Sequence, residues 1–247
     1  MRSTRVSHEI LLDRLFDALV SGDRREARAI VSEVFDQQNV PADRVITDLF
    51  WPVYERVETF YRNDQLSTLG RRLATRLLRV LVDQAALRLE RKGEIGRRVF
   101  AVCGPNDADE LAAQMAVDLL EAEGYDVRFA GGGIAMDEIL GRVQEEKPEH
   151  LVIFASSPRD LPEIRGLIDS LNEIGACSPA SGRVQVIVGG GVFNRAEGLA
   201  EEIGADLWAE TPDELVEAMT DEPERRATPD QRTVGKSKAA RSRRAVA

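Results

Sequence analysis

The chain has 247 residues, of which 43% are hydrophobic and 31% charged, and a formal net charge of −10. This profile fits a soluble globular chain of two modest domains or one large one, and excludes a disordered or membrane-embedded protein. No run reaches the roughly 18 uncharged apolar residues of a spanning helix, and residues 1–7 lack the apolar core of a secretory signal, so a cytoplasmic location is expected.

Residues 8–93 carry helical periodicity throughout. Ile10, Leu11, Leu15 and Leu19 mark the face of a first helix ending near Gly22, and Ala27, Ile30, Val31 and Val34 that of a second starting at Asp23. A third follows Asn39, with Pro41 at a tolerated first-turn position, and runs through Val45, Leu49, Val53, Val57 and Phe60; Pro52 should bend it. A fourth starts near Ser67 and includes Leu73, Leu77, Val80, Leu81 and Leu87. Four helices with short connections predict an antiparallel bundle over 1–93.

From residue 94 to 220, short apolar runs alternate with helical segments, the pattern of a parallel sheet with crossover helices. Strands are expected over 99–102, 125–130, 151–155, 184–188 and 206–208, and helices over 107–123, 135–146, 161–174, 196–203 and 212–219. The third strand is apolar at every position, as befits one covered on both faces. Residues 221–247 lack apolar periodicity and are expected to be disordered. Arg232, Lys236, Lys238, Arg241, Arg243 and Arg244 crowd this tail, so the body is more acidic than the whole. Nucleic acid could be met only through the tail, which has no aromatic residue for stacking.

Ligands of open parallel sheets bind beyond the carboxyl ends of the strands, where strand order reverses. The loops to inspect are therefore 104–109, 131–133, 156–160, 189–194 and 209–211. They contain Asp107-Ala108-Asp109-Glu110-Leu111-Ala112, then Gly131-Gly132-Gly133, Ser156-Ser157-Pro158 and Gly189-Gly190-Gly191. Together with the preceding bundle, these residues resemble the cobalamin-binding family: methionine synthase modules, small methyltransferase corrinoid proteins and light-sensing B12 transcription regulators. That family carries Asp-x-His-x-x-Gly, Ser-x-Leu and Gly-Gly after strands one, three and four. The resemblance implies an α/β chain in two parts, an N-terminal four-helix bundle and a C-terminal flavodoxin-like (Rossmann-like) domain with a five-stranded parallel sheet.

The departures fall on functional positions. Asp109 takes the place of the cobalt-ligating histidine, Ala112 that of the glycine and Pro158 that of the leucine. In the bundle, Tyr61 sits near the family's Trp place and Arg71-Arg72 near its Glu-His place. Neither His8, ahead of the first helix, nor His150, at the amino end of the third strand, is placed to substitute. A carboxylate is a hard donor and a poor lower ligand for low-spin cobalt. The resemblance therefore implies cobalamin bound base-on without histidine ligation, or no cofactor. The implied contacts are Asp107, Asp109, Ser156, Ser157, Gly189, Gly190, Gly191, Gly131, Gly132, Trp51 and Tyr61, with no metal ligand from the protein.

Plainer readings stand beside these. Asp107 with Glu110 has capping-box spacing, glycine-rich turns follow strands for steric reasons, and Phe50, Trp51, Tyr54, Phe60 and Tyr61 read first as bundle core. Arg71, Arg72 and Arg76 read as a solvated face. Two cysteines, Cys103 and Cys177, are too few and too scattered for a metal cluster, and each reads as a small buried hydrophobe. No phosphate-loop or dinucleotide fingerprint is present, and the aspartate closing strand three and lysine closing strand five that a receiver domain needs are replaced by Ala155-Ser156 and Trp208-Ala209. The sequence reading is therefore a non-catalytic sensor or regulatory module, binding cobalamin or another large small molecule, or acting through a regulatory protein partner or self-association. The alternative is a corrinoid carrier subunit of a methyltransferase system.

Overall fold

The structure is a computed structural model and describes residues 2–177, 183–228 and 231. The N-terminal part consists of α1 (Arg2–Ser21), α2 (Arg24–Ser32), α3 (Ala42–Arg44), α4 (Trp51–Arg62) and α5 (Thr68–Ala86). Gly22, at φ +74°, ends α1, and the Asp23 carboxylate caps α2 by accepting from the amides of Arg25 and Glu26, each at 3.0 Å. Ser67 caps α5 through its hydroxyl on the Gly70 amide. A π-helical stretch, Val45–Phe50, joins α3 to α4. Pro52 lacks the amide that would close a turn onto Asp48, so the expected bend takes the form of a wider helical turn immediately before it.

Leu15, Leu19, Ile30, Ile46, Phe50, Leu78 and Leu81 are fully buried in the bundle. This core does not end with the bundle, because Ala108, Leu111, Ala112 and Met115 of the next helix belong to the same cluster. The two parts of the chain thus share one apolar interior.

The second part runs β1 (Arg98–Cys103), α6 (Asp107–Ala122), β2 (Asp126–Gly132), α7 (Met136–Glu146), β3 (His150–Phe154), α8 (Leu161–Cys177), β4 (Gln185–Gly189), α9 (Gly191–Asn194), α10 (Leu199–Ile203), β5 (Leu207–Ala209) and α11 (Pro212–Asp221). All pairings are parallel and the order is β2-β1-β3-β4-β5, so strand order reverses between β1 and β3. Side chains of α7, α8 and α10 pack on one face, and those of α6 and α11 on the other. β3 and β4 are buried at every residue, whereas edge strand β2 alternates between half-buried and exposed.

Two expectations need correction. The helix expected over 196–203 begins only at Leu199, after Gly198 (φ +76°), and is preceded by a short α9 into which Gly190 (φ +99°) turns the chain directly from β4. The tail expected to be disordered from 221 is packed over 222–228: the Arg225 guanidinium lies 5.0 Å from the Trp208 ring centroid, and the carbonyls of Glu222 and Arg225 accept from Gln185 Nε2. Backbone carbonyls, not apolar side chains, hold this segment, so hydrophobic pattern does not reveal it. The basic cluster over 232–247, on which the nucleic-acid expectation falls, lies outside the described residues, as does the Cys177 side chain.

Candidate functional site

At the carboxyl edge of the sheet, α6 begins beneath the bundle. Its cap is Asn106, whose side-chain oxygen accepts from the amides of Ala108 and Asp109 at 3.2 and 3.1 Å. Asp107, expected to cap, is instead exposed in the first turn, and Glu110 pairs with Arg79 of α5 at 3.3 Å. An Asn between a proline and an acidic first turn, as in Pro105-Asn106-Asp107, is a cap signal legible in the sequence.

Asp109 points inward and is 2% exposed. Asn106 Nδ2 donates to its carboxylate. Burial pushes the carboxyl up to about 6, hydrogen bonds from Ser156 and Asn106 restrain the rise, and the Asp160 carboxylate adds to it. A side chain on Gly104 would collide with Asp109, so the β1–α6 loop is closed down on this carboxyl. Nearby, burial pushes the Cys103 thiol up to about 12, with Asp109 and Glu110 adding, which leaves it a hydrophobe and not a nucleophile.

Across from this edge stands α4. Trp51, Tyr54 and Glu58 face Ser156, Gly191 and Arg195 over a cleft of about 160 Å³. Arg195 closes its floor by donating to the Ser156 carbonyl at 2.7 Å. Trp51 Nε1 is buried without a partner. Burial pushes the Tyr54 phenol well above its ordinary range, with Glu58 adding. Glu58, itself 6% exposed, is held bidentate by Arg71 at 2.7 and 2.8 Å, and the Arg71 guanidinium stacks on Tyr61 at 4.5 Å. Arg71 is therefore no part of a solvated face, unlike exposed Arg72 and Arg76. Tyr61 serves this ion pair and does not line the cleft.

The glycine loops divide in purpose. Gly190 must be glycine for backbone reasons, since a side chain there would meet the Ala155 carbonyl oxygen at 2.5 Å. Gly132 is equally constrained by the Gly104 carbonyl, where β1 and β2 converge. Gly189 lies against the Phe154 ring, Gly131 turns at φ +78°, and Gly191 alone of the six lines the cleft, where a side chain would meet the Arg195 guanidinium at 2.6 Å. Ser157 caps the local turn by accepting from the Arg159 amide. Of the residues singled out in the sequence, Asp109, Ser156, Gly191 and Trp51 are brought to one place; Asp107, Ser157, Tyr61, Gly131 and Gly132 are not. Asp160, Arg195 and Tyr54 join them without any motif to announce them.

Between β1 and β3, where strand order reverses, a second opening of about 240 Å³ runs into the domain past Gly133, Ile134, Ile153, Ala155 and Ile164. Asp160 stands in its lining, with Oδ2 buried and unpartnered.

Two family models match, each described as a B12 binding domain, one over residues 11–85 and the other over residues 97–217. A corrinoid protein of Desulfitobacterium hafniense is 24% identical over 211 residues, 84% of this chain and 94% of that protein. Dimethylamine corrinoid protein 3 of Methanosarcina acetivorans is 28% identical over 110 residues, 44% of this chain and 49% of its own. The solved structure of the Methanosarcina barkeri monomethylamine corrinoid protein superposes with a TM-score of 0.73 at 18% identity, covering 86% of this chain and 98% of that one, and so shares the fold. With both matched regions spanning the bundle and the sheet domain, the chain belongs to the cobalamin-binding family, built as a helical cap followed by a Rossmann-like domain.

Proposed function

We propose that the chain is the corrinoid carrier of a methyltransferase system, holding the cofactor without a histidine. Its relatives bear corrinoid-protein names, which favours the carrier over the sensor of the sequence reading. The observation that carries the proposal is the opening between β1 and β3, an apolar slot at the point of strand reversal whose unpartnered Asp160 oxygen would accept from a hydroxyl. A bound corrinoid supplies a cobalt that accepts a methyl group and hands it on.

The residues fit the cofactor unevenly. The slot suits a nucleotide tail. The cleft under α4, at about 160 Å³, is below the roughly 300–1,000 Å³ of ordinary small-molecule pockets and far too small for a macrocycle, so the bundle must part from the edge on loading. A tail inserted in the slot cannot at the same time ligate the cobalt, so the base-on mode of the sequence reading and use of the slot exclude one another. The slot, lined by Gly133, Ile153 and Asp160, favours tail insertion, while Ser156, Gly191, Trp51 and Tyr54 line the neighbouring cleft. The methyl donor and acceptor then meet the cofactor through partner subunits.

Reconstitution of the full chain with hydroxocobalamin or methylcobalamin, read by ultraviolet–visible spectroscopy, tests this. The expected result is stoichiometric corrin absorbance without benzimidazole-coordinated features, and methyl exchange with a purified methyltransferase. A base-on spectrum would refute tail insertion. A protein that stays colourless would favour the second reading, a ligand-free interaction module, which has the apolar closure of Leu111, Ala112 and Met115 against the bundle in its support.

A further inference from the structure

The amino edge of the sheet, opposite the corrinoid edge, carries a cavity of about 580 Å³. Arg97 borders it ahead of β1, Lys147 ahead of β3, Arg183 ahead of β4, and Arg226 comes from the segment after α11. His150, the first residue of β3 and 1% exposed, forms part of its wall. The ring is fixed from two directions, by Tyr125 edge-on at 6.0 Å between centroids and by a hydrogen bond of 2.8 Å between Nδ1 and Gln185 Oε1.

That hydrogen bond settles the tautomer. Gln185 Nε2 donates to the carbonyls of Glu222 and Arg225, each at 3.0 Å, so its oxygen faces the imidazole and accepts. Nδ1 must then carry the proton, and Nε2 keeps a lone pair that is buried with no partner. Burial holds the imidazole pKa below its ordinary value, and Arg97 and Arg226 lower it further, so the neutral form with its lone pair persists at neutral pH.

The surroundings are cationic. Among the described residues, neither Arg97 nor Lys147 has an acidic partner; Arg183 is paired with Asp206, and Arg226 donates to backbone carbonyls. Of the two lining carboxylates, Glu149 is engaged by Arg98 at 3.2 Å, which leaves Glu224. A neutral acceptor that wants a proton thus sits among cations that want an anion.

We infer that this cavity binds a small oxyanion that also carries a hydrogen-bond donor, the chemistry of a hydrogen phosphate or phosphomonoester. Its anionic oxygens lie on Arg97, Lys147 and Arg226, and its hydroxyl donates to His150 Nε2, an atom the cavity wall covers in this structure and must uncover on binding. The site is separate from the corrinoid edge and does not depend on the cofactor.

The full chain has only two histidines, and exposed His8 serves as an internal control. Imidazole ¹⁵N spectra would be followed while inorganic phosphate is added, with sulfate, which has no proton to donate at neutral pH, as comparison. The expected result is a saturable shift of His150 Nε2 with phosphate, little or none with sulfate, no shift at His8, and affinity at least about tenfold weaker in Arg97→Gln. Arg97 is only half-buried, and Lys147→Gln, at an exposed position, is a second variant expected to act in the same direction. No saturable shift, equal response to sulfate, or unchanged affinity in both variants would overturn the assignment.

Discussion

Two buried aspartates stand at opposite edges of one sheet, and their partners differ. Asp206, 1% exposed at the amino edge, accepts from the Arg183 guanidinium, from the Val186 amide at 2.7 Å and from the Ala227 amide. Asp109, 2% exposed at the carboxyl edge, accepts from Asn106 and Ser156, has no ion pair among the described residues, and faces the Asp160 carboxylate. Burial is nearly equal; compensation is not. At the amino edge the charge is part of the structure, tying β4, the approach to β5 and the segment after α11 together. At the carboxyl edge it is a charge held against its preference.

The comparison breaks most visibly at Asp206. Asp206→Ala leaves Arg183 half-buried without its partner and two amides without an acceptor, so about 3–5 kcal/mol of stability should be lost. Urea unfolding with a common m-value measures it, and a loss below about 1 kcal/mol would show that water replaces the carboxylate. The next effect in size tests whether the carboxyl edge depends on the bundle. Leu111 is fully buried in the shared core, and Leu111→Ala should cost about 2–4 kcal/mol. A second unfolding transition appearing in this variant would mean that the bundle and the sheet domain come apart when the seam between them is weakened.

How much of this was legible depended on whether the signal was local. β3 and β4 declared themselves through unbroken apolar runs, and the helices of the bundle through their 3.6-residue period, because each pattern is set by the faces that one element buries. Glu58 and Arg71 lie 13 residues apart on two helices, and their bidentate pairing depends on how α4 and α5 cross, which no spacing encodes. Arg195 is hidden for the same reason, since its target is the carbonyl of Ser156 on a different loop. The shared core does leave a local trace: α6 is apolar at Ala108, Leu111, Ala112, Ala113, Met115, Ala116 and Val117, more than one face of a helix needs, and the surplus covers the bundle. Gly190 and Gly132 answer to the backbone around them, and a run of three glycines does not say which one turns the chain, which admits a neighbouring strand and which borders a cleft.

The smallest effect separates the two aspartates by pH. Asp109 has a folded pKa of about 6 against an ordinary 3.8, so between those values the folded chain binds a proton that the unfolded chain does not. Stability contributed by this group therefore falls as pH rises through that window and is lowest above it. Asp109→Asn keeps the size and one acceptor oxygen while removing the charge, and should stabilise the protein by about 1–3 kcal/mol near pH 7. The gain should vanish by about pH 4, where the wild-type carboxyl is already protonated in the folded state. Urea midpoints of both proteins at the two pH values measure the difference. A gain of the same size at both would trace to packing and not to charge, and the carboxyl edge would then be as well compensated as the amino edge.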